Sequence, residues 1–305
     1  MEKKGFALAL TLWIVAIMSL VTALYLTYGQ KIVNKTIQLN KKLEITLEAE
    51  SIVEVLKFYG ATGYFYKNKV INVKLQKVFN TLPTQLYIDS RINYWKNSKI
   101  ILEDSSSLIN INDKEAFVKY LSFENNNIKD NKGIIQDSMK DWLDVDEFSS
   151  LNGAEALFYK NQKKAYTSRN EEYFSSVEEV FLLRGLNNYS IDKQRELQKK
   201  LILLDYSSRN ILTMDMNTLF KVYQLSISEL EQLKEAKKES LNSFLTLFNS
   251  FNKGNENYEL DGFIPSNILR ITVKSTLDNI SKNITLLVSF KVNKENSFQV
   301  LEYND

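Results

Sequence analysis

Residues 1–30 read MEKKGFALALTLWIVAIMSLVTALYLTYGQ, with no charged side chain between Lys4 and Lys31. Phe6 to Tyr28 is a mainly apolar stretch of 23 residues. At about 1.5 Å per helical residue it can cross a bilayer core of roughly 30 Å. Lys3 and Lys4 precede it and would stay on the cytoplasmic side, although Lys31 and Lys35 on the other flank weaken that bias. A secretory signal peptide usually has a shorter apolar core, about 7–15 residues, closed by a cleavage site. Here the apolar run continues into a helical pattern. Ile45, Ala49, Ile52, Leu56 and Tyr59 recur at steps of four and three, and neither Gly nor Pro interrupts residues 30–59. Gly60 and Gly63 then offer a stop. The pattern predicts one helix from about Phe6 to Tyr59, apolar in its first half and amphipathic in its second.

The rest of the chain is globular in composition. Of 305 residues, 44% are hydrophobic and 25% charged, and the net charge of +2 gives no electrostatic case for a nucleic-acid partner. There is no Cys and no His. Disulfides, thiolate nucleophiles, Ser-His-Asp triads and the usual catalytic zinc sites are therefore excluded, and any metal should prefer oxygen ligands. Ser and Lys are too abundant for one Ser–Lys pair to stand out, so the chain is read as a structural, interacting protein, not an enzyme.

Residues 64–105 alternate loosely, and Lys99–Asp104 (KIILED) is an apolar run flanked by charge, as in a strand. After LININ (residues 108–112), Asp113 stands ready to cap a helix over Ala116–Phe123. Residues 125–133 are polar and read as a loop. Ile135, Met139 and Trp142 predict a helix ending near Leu143. Ser176-x-x-Glu179 and Ser228-x-x-Glu231 have the form of capping boxes, and Gly185 suits a left-handed helix stop. Asp215-Met216-Asn217-Thr218 forms a turn before a helix to Leu225, and a last helix spans Phe244 to Phe251. Residues 106–252 thus read as mostly helical. Leu269–Lys274, Ile284–Val292 and Phe298–Tyr303 then read as three strands of an antiparallel sheet.

Two stretches resemble one known family. Lys3-Lys4-Gly5 followed by Phe6 resembles the type III signal of type IV pilins and pseudopilins. Residues 141–185 carry DWLDVD, then GAE at 153–155, then Tyr159, Tyr166 and Arg169-Asn170, and finally SSVEEV at 175–180 and RG at 184–185. In order this is similar to the most recognisable stretch of the K-type minor pseudopilins of type II secretion systems. LININ and DMNT (215–218) resemble two further segments of that family. The resemblance implies cleavage between Gly5 and Phe6 by a prepilin peptidase and N-methylation of Phe6. It further implies a pilin-like fold and a place at the pseudopilus tip with I- and J-type minor pseudopilins. Most family members carry Glu at the fifth mature position, where it pairs with a neighbour's N-terminus; here that position is Leu10. A buried carboxylate with no partner costs several kcal/mol, and an apolar residue there marks the K-type tip subunit.

Asp141, Asp144, Asp146, Glu147 and Glu155 fall within fifteen residues. Such charges repel unless offset, and calcium, which takes six to eight oxygen ligands, would offset them. The alternative is a solvated acidic turn in which Asp144 or Asp146 caps a helix. K-type pseudopilins bind calcium in this region, so the resemblance adds support. Asp144, Asp146 and Glu155 are the preferred ligands, and Asp141 is expected to face solvent. Their spacing matches positions one, three and twelve of an EF-hand, but Phe148 and Ser149 at the fifth and sixth positions do not fit one.

The expected architecture is α+β, a long N-terminal helix on an antiparallel sheet with a large inserted helical domain. Its parts are a leader (1–5), a membrane or filament-core helix (6–28), an amphipathic helix with the first part of the pilin-like domain (29–105), the helical insertion (106–252) and the closing strands (253–305). The expected location is the bacterial inner membrane, single-pass, with the C-terminal domain in the periplasm. Alternatives are a minor pilin of a DNA-uptake or type IV pilus filament, and a single-span anchored protein of other function.

Overall fold

The computed structural model describes residues 2–78, 82–124, 131–162, 165–169, 171–204, 209–251, 261–262, 265–290 and 297–304. In chain order the first elements are α1 (Glu2–Thr62), β1 (Tyr64–Tyr66), β2 (Lys69–Ile71), α2 (Val73–Gln76), β3 (Gln85–Tyr87), β4 (Asp89–Trp95) and β5 (Ser98–Asp104). After a 3-10 turn at Ser105–Ser107 come β6 (Ile109–Asn110), α3 (Lys114–Glu124), α4 (Asn131–Leu143) and α5 (Ala156–Lys160). A 3-10 turn at Glu178–Leu182 leads to α6 (Ile191–Gln198), β7 (Leu201–Ile202), β8 (Arg209–Asn210), α7 (Met216–Val222), α8 (Ile227–Glu239) and α9 (Leu241–Ser250). The chain closes with β9 (Asp261–Gly262), β10 (Ile268–Leu277), β11 (Ile280–Phe290) and β12 (Phe298–Asn304).

The predicted long helix is present, with a different stop. Gly60 lies inside α1, where a Cβ would come within 2.5 Å of the Phe290 ring; the helix runs on to Thr62 and turns at Gly63. The first glycine therefore serves close packing of helix on sheet. The stripe Ile45, Ala49, Ile52, Leu56 and Tyr59 is buried as its spacing required. It faces a five-stranded antiparallel sheet of order β12-β11-β10-β5-β4. In that sheet Val273 pairs with both Ile284 and Ile100, and Ile271 with both Leu286 and Leu102. All six side chains are buried in the core that also holds Ala49, Ile52, Leu56 and Tyr59. The fold is the expected α+β, pilin-like one.

The insertion leaves and returns at adjacent rungs of this sheet. Asp104, the last residue of β5, pairs with Leu269 at the start of β10. That end of the sheet adjoins the C-terminal end of α1, since Phe290 packs on Gly60 and Ile268 pairs with Ser289. The opposite end adjoins the earlier part of α1: Lys41 bonds Asp278, and Ser98 lies 3.4 Å from Glu48. The inserted domain therefore stands beyond the end of α1 that is remote from the apolar run, about 50 Å of helix past Tyr28.

Its own core collects Phe117, Leu121, Ile135, Met139, Trp142, Tyr159, Leu212 and Phe244. Asp113 receives the Ala116 amide, as the cap of α3 requires, and also binds the Arg209 guanidinium. Asp215 caps α7 through the Asn217 and Thr218 amides. The domain is not purely helical. Ile109–Asn110 pairs in parallel with Leu201–Ile202, and Arg209–Asn210 with Asp261–Gly262. Three local expectations are corrected. Glu179 binds the amide and hydroxyl of Ser175, not Ser176, at the mouth of a short 3-10 turn. The capping box of α8 is Ser226 with Glu229; Ser228 is already helical. Residues 131–133 belong to α4, and residues 125–130 of the expected polar loop lie outside the described residues.

Candidate metal centre

The candidate site lies between the end of α4 and the start of α5. α4 delivers Asp141 and Trp142 on its last turn, and the irregular segment 144–155 curls back over it. Asp144, Asp146 and Glu155 each direct a carboxylate oxygen to within 4.8 Å of the others. Glu155 is buried and Asp146 exposed. The Phe148 amide donates to Asp146 Oδ1 at 2.8 Å. Asp144 Oδ1 and both oxygens of Glu155 are buried without a hydrogen-bond partner among the described residues. Burial pushes the Glu155 carboxyl up to about 7, helped by the negative charges of Asp141, Asp144 and Asp146. Burial, then Asp146 and Asp141, raises Asp144 as well. Buried, unpaired acceptors gathered at one point are what a hard divalent cation satisfies. Three carboxylates offer up to six oxygens, which suits calcium.

Asp141 departs from expectation. It is fully buried and accepts the Ser150 amide at 3.0 Å. Gly153 approaches so closely that a Cβ would lie 1.9 Å from Asp141 Oδ2. Asp137, one turn earlier, accepts the amide of Asn152 at 3.0 Å and its side-chain Nδ2 at 3.1 Å. From the other side Arg184 donates to the Gly153 carbonyl at 2.8 Å. Asp137, Asp141 and Arg184 thus hold residues 150–153 in the path that delivers Glu155. Asp137 carried no signal in the sequence, because its partner is fifteen residues away across a loop. Arg184 stood in view only as part of RG.

The remaining motif residues build the wall behind the site. Trp142 Nε1 donates to Glu179 Oε1 at 2.7 Å, and its ring meets Tyr159 edge-on with centroids 4.9 Å apart. Tyr166 donates to the Leu182 carbonyl. Gly185 takes φ +95°, and a Cβ there would meet Ile135 at 3.0 Å. The scattered motif is therefore one packed unit. Gly5 and Phe6 lie within α1, and Leu10 is half-exposed on it.

Residues 114–199, which contain this unit, match the family model described as type II secretion system (T2SS), protein K. Among curated proteins no sequence matches. Among solved structures, a chain of the GspK–GspI–GspJ complex from the enterotoxigenic Escherichia coli type 2 secretion system aligns with a TM-score of 0.54. The alignment covers 89% of this chain and 98% of that one at 13% identity, a likeness that speaks for the fold. The resemblance to protein K of type II secretion accords with the family match over residues 114–199, and the structural likeness with the pilin-like fold.

Proposed function

We propose that this chain is the K-type minor pseudopilin of a type II secretion system, seated at the pseudopilus tip, where it starts or caps the filament used for protein export. One observation carries the reading: the segment that matches the protein K family belongs to a domain inserted beyond the far end of a long helix with an apolar first half. From Leu10 onward that helix contains a stretch apolar and long enough to span a bilayer. In this reading a prepilin peptidase cuts between Gly5 and Phe6 and methylates Phe6. The helix anchors the chain in the inner membrane, with the folded part in the periplasm, until it enters the filament. Leu10 supplies no carboxylate to a neighbour, and the insertion obstructs any subunit stacked above it. The I- and J-type minor pseudopilins are its partners. A calcium ion held by Asp144, Asp146 and Glu155 fixes the loop of the inserted domain. No step of catalysis belongs to the chain.

Mass spectrometry of the N-terminal peptide, from membranes with and without the peptidase, tests the reading. The expected product is N-methyl-Phe6, lost in peptidase-deficient membranes. An intact Met1 in both would contradict it.

A further inference from the structure

Asn152-Gly153 is the one Asn-Gly pair in the chain, and it lies in the loop that curls back over the end of α4. The pair closes a tight turn, in which the Gly153 amide donates to the Ser150 carbonyl at 3.0 Å. This turn reaches the surface: Leu151 is 96% exposed and Asn152 half-buried. Glycine is forced at its last place, because a Cβ on residue 153 would lie 1.9 Å from Asp141 Oδ2. Close packing against Asp141 thus leaves a backbone nitrogen without a shielding side chain directly after an asparagine.

We infer that Asn152 is a deamidation site, closed by the folded loop, and that its conversion fixes the loop in an open form. The Gly153 nitrogen attacks Asn152 Cγ. The N–Cγ bond forms, the Cγ–Nδ2 bond breaks, and ammonia leaves with the proton of the Gly153 amide. Water then opens the succinimide ring at either carbonyl and gives aspartate or isoaspartate. No oxidant or reductant takes part.

Each reacting group is occupied in the fold. The Gly153 N–H is committed to Ser150. The departing Nδ2 donates to Asp137 Oδ2 at 3.1 Å, and the Asn152 amide donates to the same oxygen at 3.0 Å. Arg184 holds the Gly153 carbonyl at 2.8 Å. Ring closure requires Asn152 to leave Asp137 and Gly153 to leave Ser150, so the reaction proceeds from the locally opened loop. Conversion then prevents reclosure. The donor 3.1 Å from Asp137 Oδ2 becomes a carboxylate oxygen, and two carboxylates at that distance repel. Isoaspartate also routes the backbone through the side chain, which lengthens the path three residues before Glu155.

The test incubates the full chain in detergent micelles near neutral pH and follows every asparagine by peptide mass spectrometry, as exchange of amide for acid. In urea, Asn152 should convert faster than any other asparagine. In the folded chain its conversion should be slower by about tenfold or more. Asp137→Ala should convert about tenfold faster than wild type under native conditions. Arg184→Met, a smaller cut at the same loop, should convert severalfold faster, and it carries the comparison if Asp137→Ala does not fold. Separately, Asn152→Asp should raise amide hydrogen exchange at residues 150–153 about tenfold. No preference for Asn152 in urea would remove the site. Equal rates in native and unfolded chains, or folded variants no faster than wild type, would remove the closing role of the loop. Wild-type exchange in Asn152→Asp would overturn the opening that follows conversion.

Discussion

Asn210 Nδ2 donates to Asp104 Oδ2 at 2.7 Å, and this bond joins the inserted domain to the last residue of β5. Asp104 also accepts from the amide and hydroxyl of Ser266, where the chain re-enters the sheet, and from the Ser106 amide, where it leaves. A single buried carboxylate thus ties the exit, body and return of the insertion together. Arg270 on β10 reinforces the joint through the carbonyls of Lys199 and Leu201, both at 2.7 Å.

Asp104→Ala leaves these buried donors without an acceptor. The expected loss of stability is about 3–5 kcal/mol, read from the urea midpoint. A loss within about 0.5 kcal/mol, the range of ordinary surface substitutions, would show that the joint is held elsewhere.

At the cation site, Glu155→Gln should have two opposite effects. It removes a buried charge surrounded by Asp141, Asp144 and Asp146, so the calcium-free protein should melt higher than wild type. It also removes a ligand, so the calcium-induced rise in melting temperature should shrink or vanish. Differential scanning calorimetry with calcium and with chelator reads both; a variant that keeps the full rise would remove Glu155 from the ligand set.

The pH dependence follows from the same carboxyl. Its folded pKa of about 7 lies above the ordinary 4.5, so the folded chain binds this proton more tightly than the unfolded one. The associated stability is complete below the unfolded value and is lost as pH rises through about 7. Calcium competes with that proton, so the calcium-induced rise should grow over the same interval. Melting curves from about pH 5.5 to about pH 8 should show both trends, and Glu155→Gln should flatten them.

Gly153→Ala drives a methyl into the Asp141 carboxylate. A destabilisation of about 2 kcal/mol or more is expected in chemical denaturation, together with weaker calcium binding. Arg184→Met removes the bond to the Gly153 carbonyl and should cost about 1–2 kcal/mol. Normal calcium affinity in both variants would mean that the path of residues 150–153 does not govern Glu155.

Where a periodic pattern met a single partner surface, the fold was legible in the sequence. The Ile45–Tyr59 stripe, the strands around Ile100, Val273 and Ile284, the cap at Asp113 and the turn at 215–218 all depend on neighbours close in sequence or on regular spacing. Gly60 misled because its reason is the Phe290 ring, more than two hundred residues away. Ser228 misled because the capping pattern recurs two residues earlier at Ser226, and the chain uses the first. At the candidate site, Asp144, Asp146 and Glu155 could be picked out by charge and spacing. Asp141 could not be placed, since its burial depends on Ser150 and Gly153 folding back over the helix end. Asp104 was hidden altogether, because it matters only once residues 106, 210 and 266 meet.

The most direct test of the central claim is the position of this chain in the fibre. Gold labels directed to the inserted domain, imaged by electron microscopy on single pseudopili, should mark one end and leave the shaft bare. Labels spaced along the shaft would contradict a subunit whose inserted domain, beyond the end of α1, closes the filament.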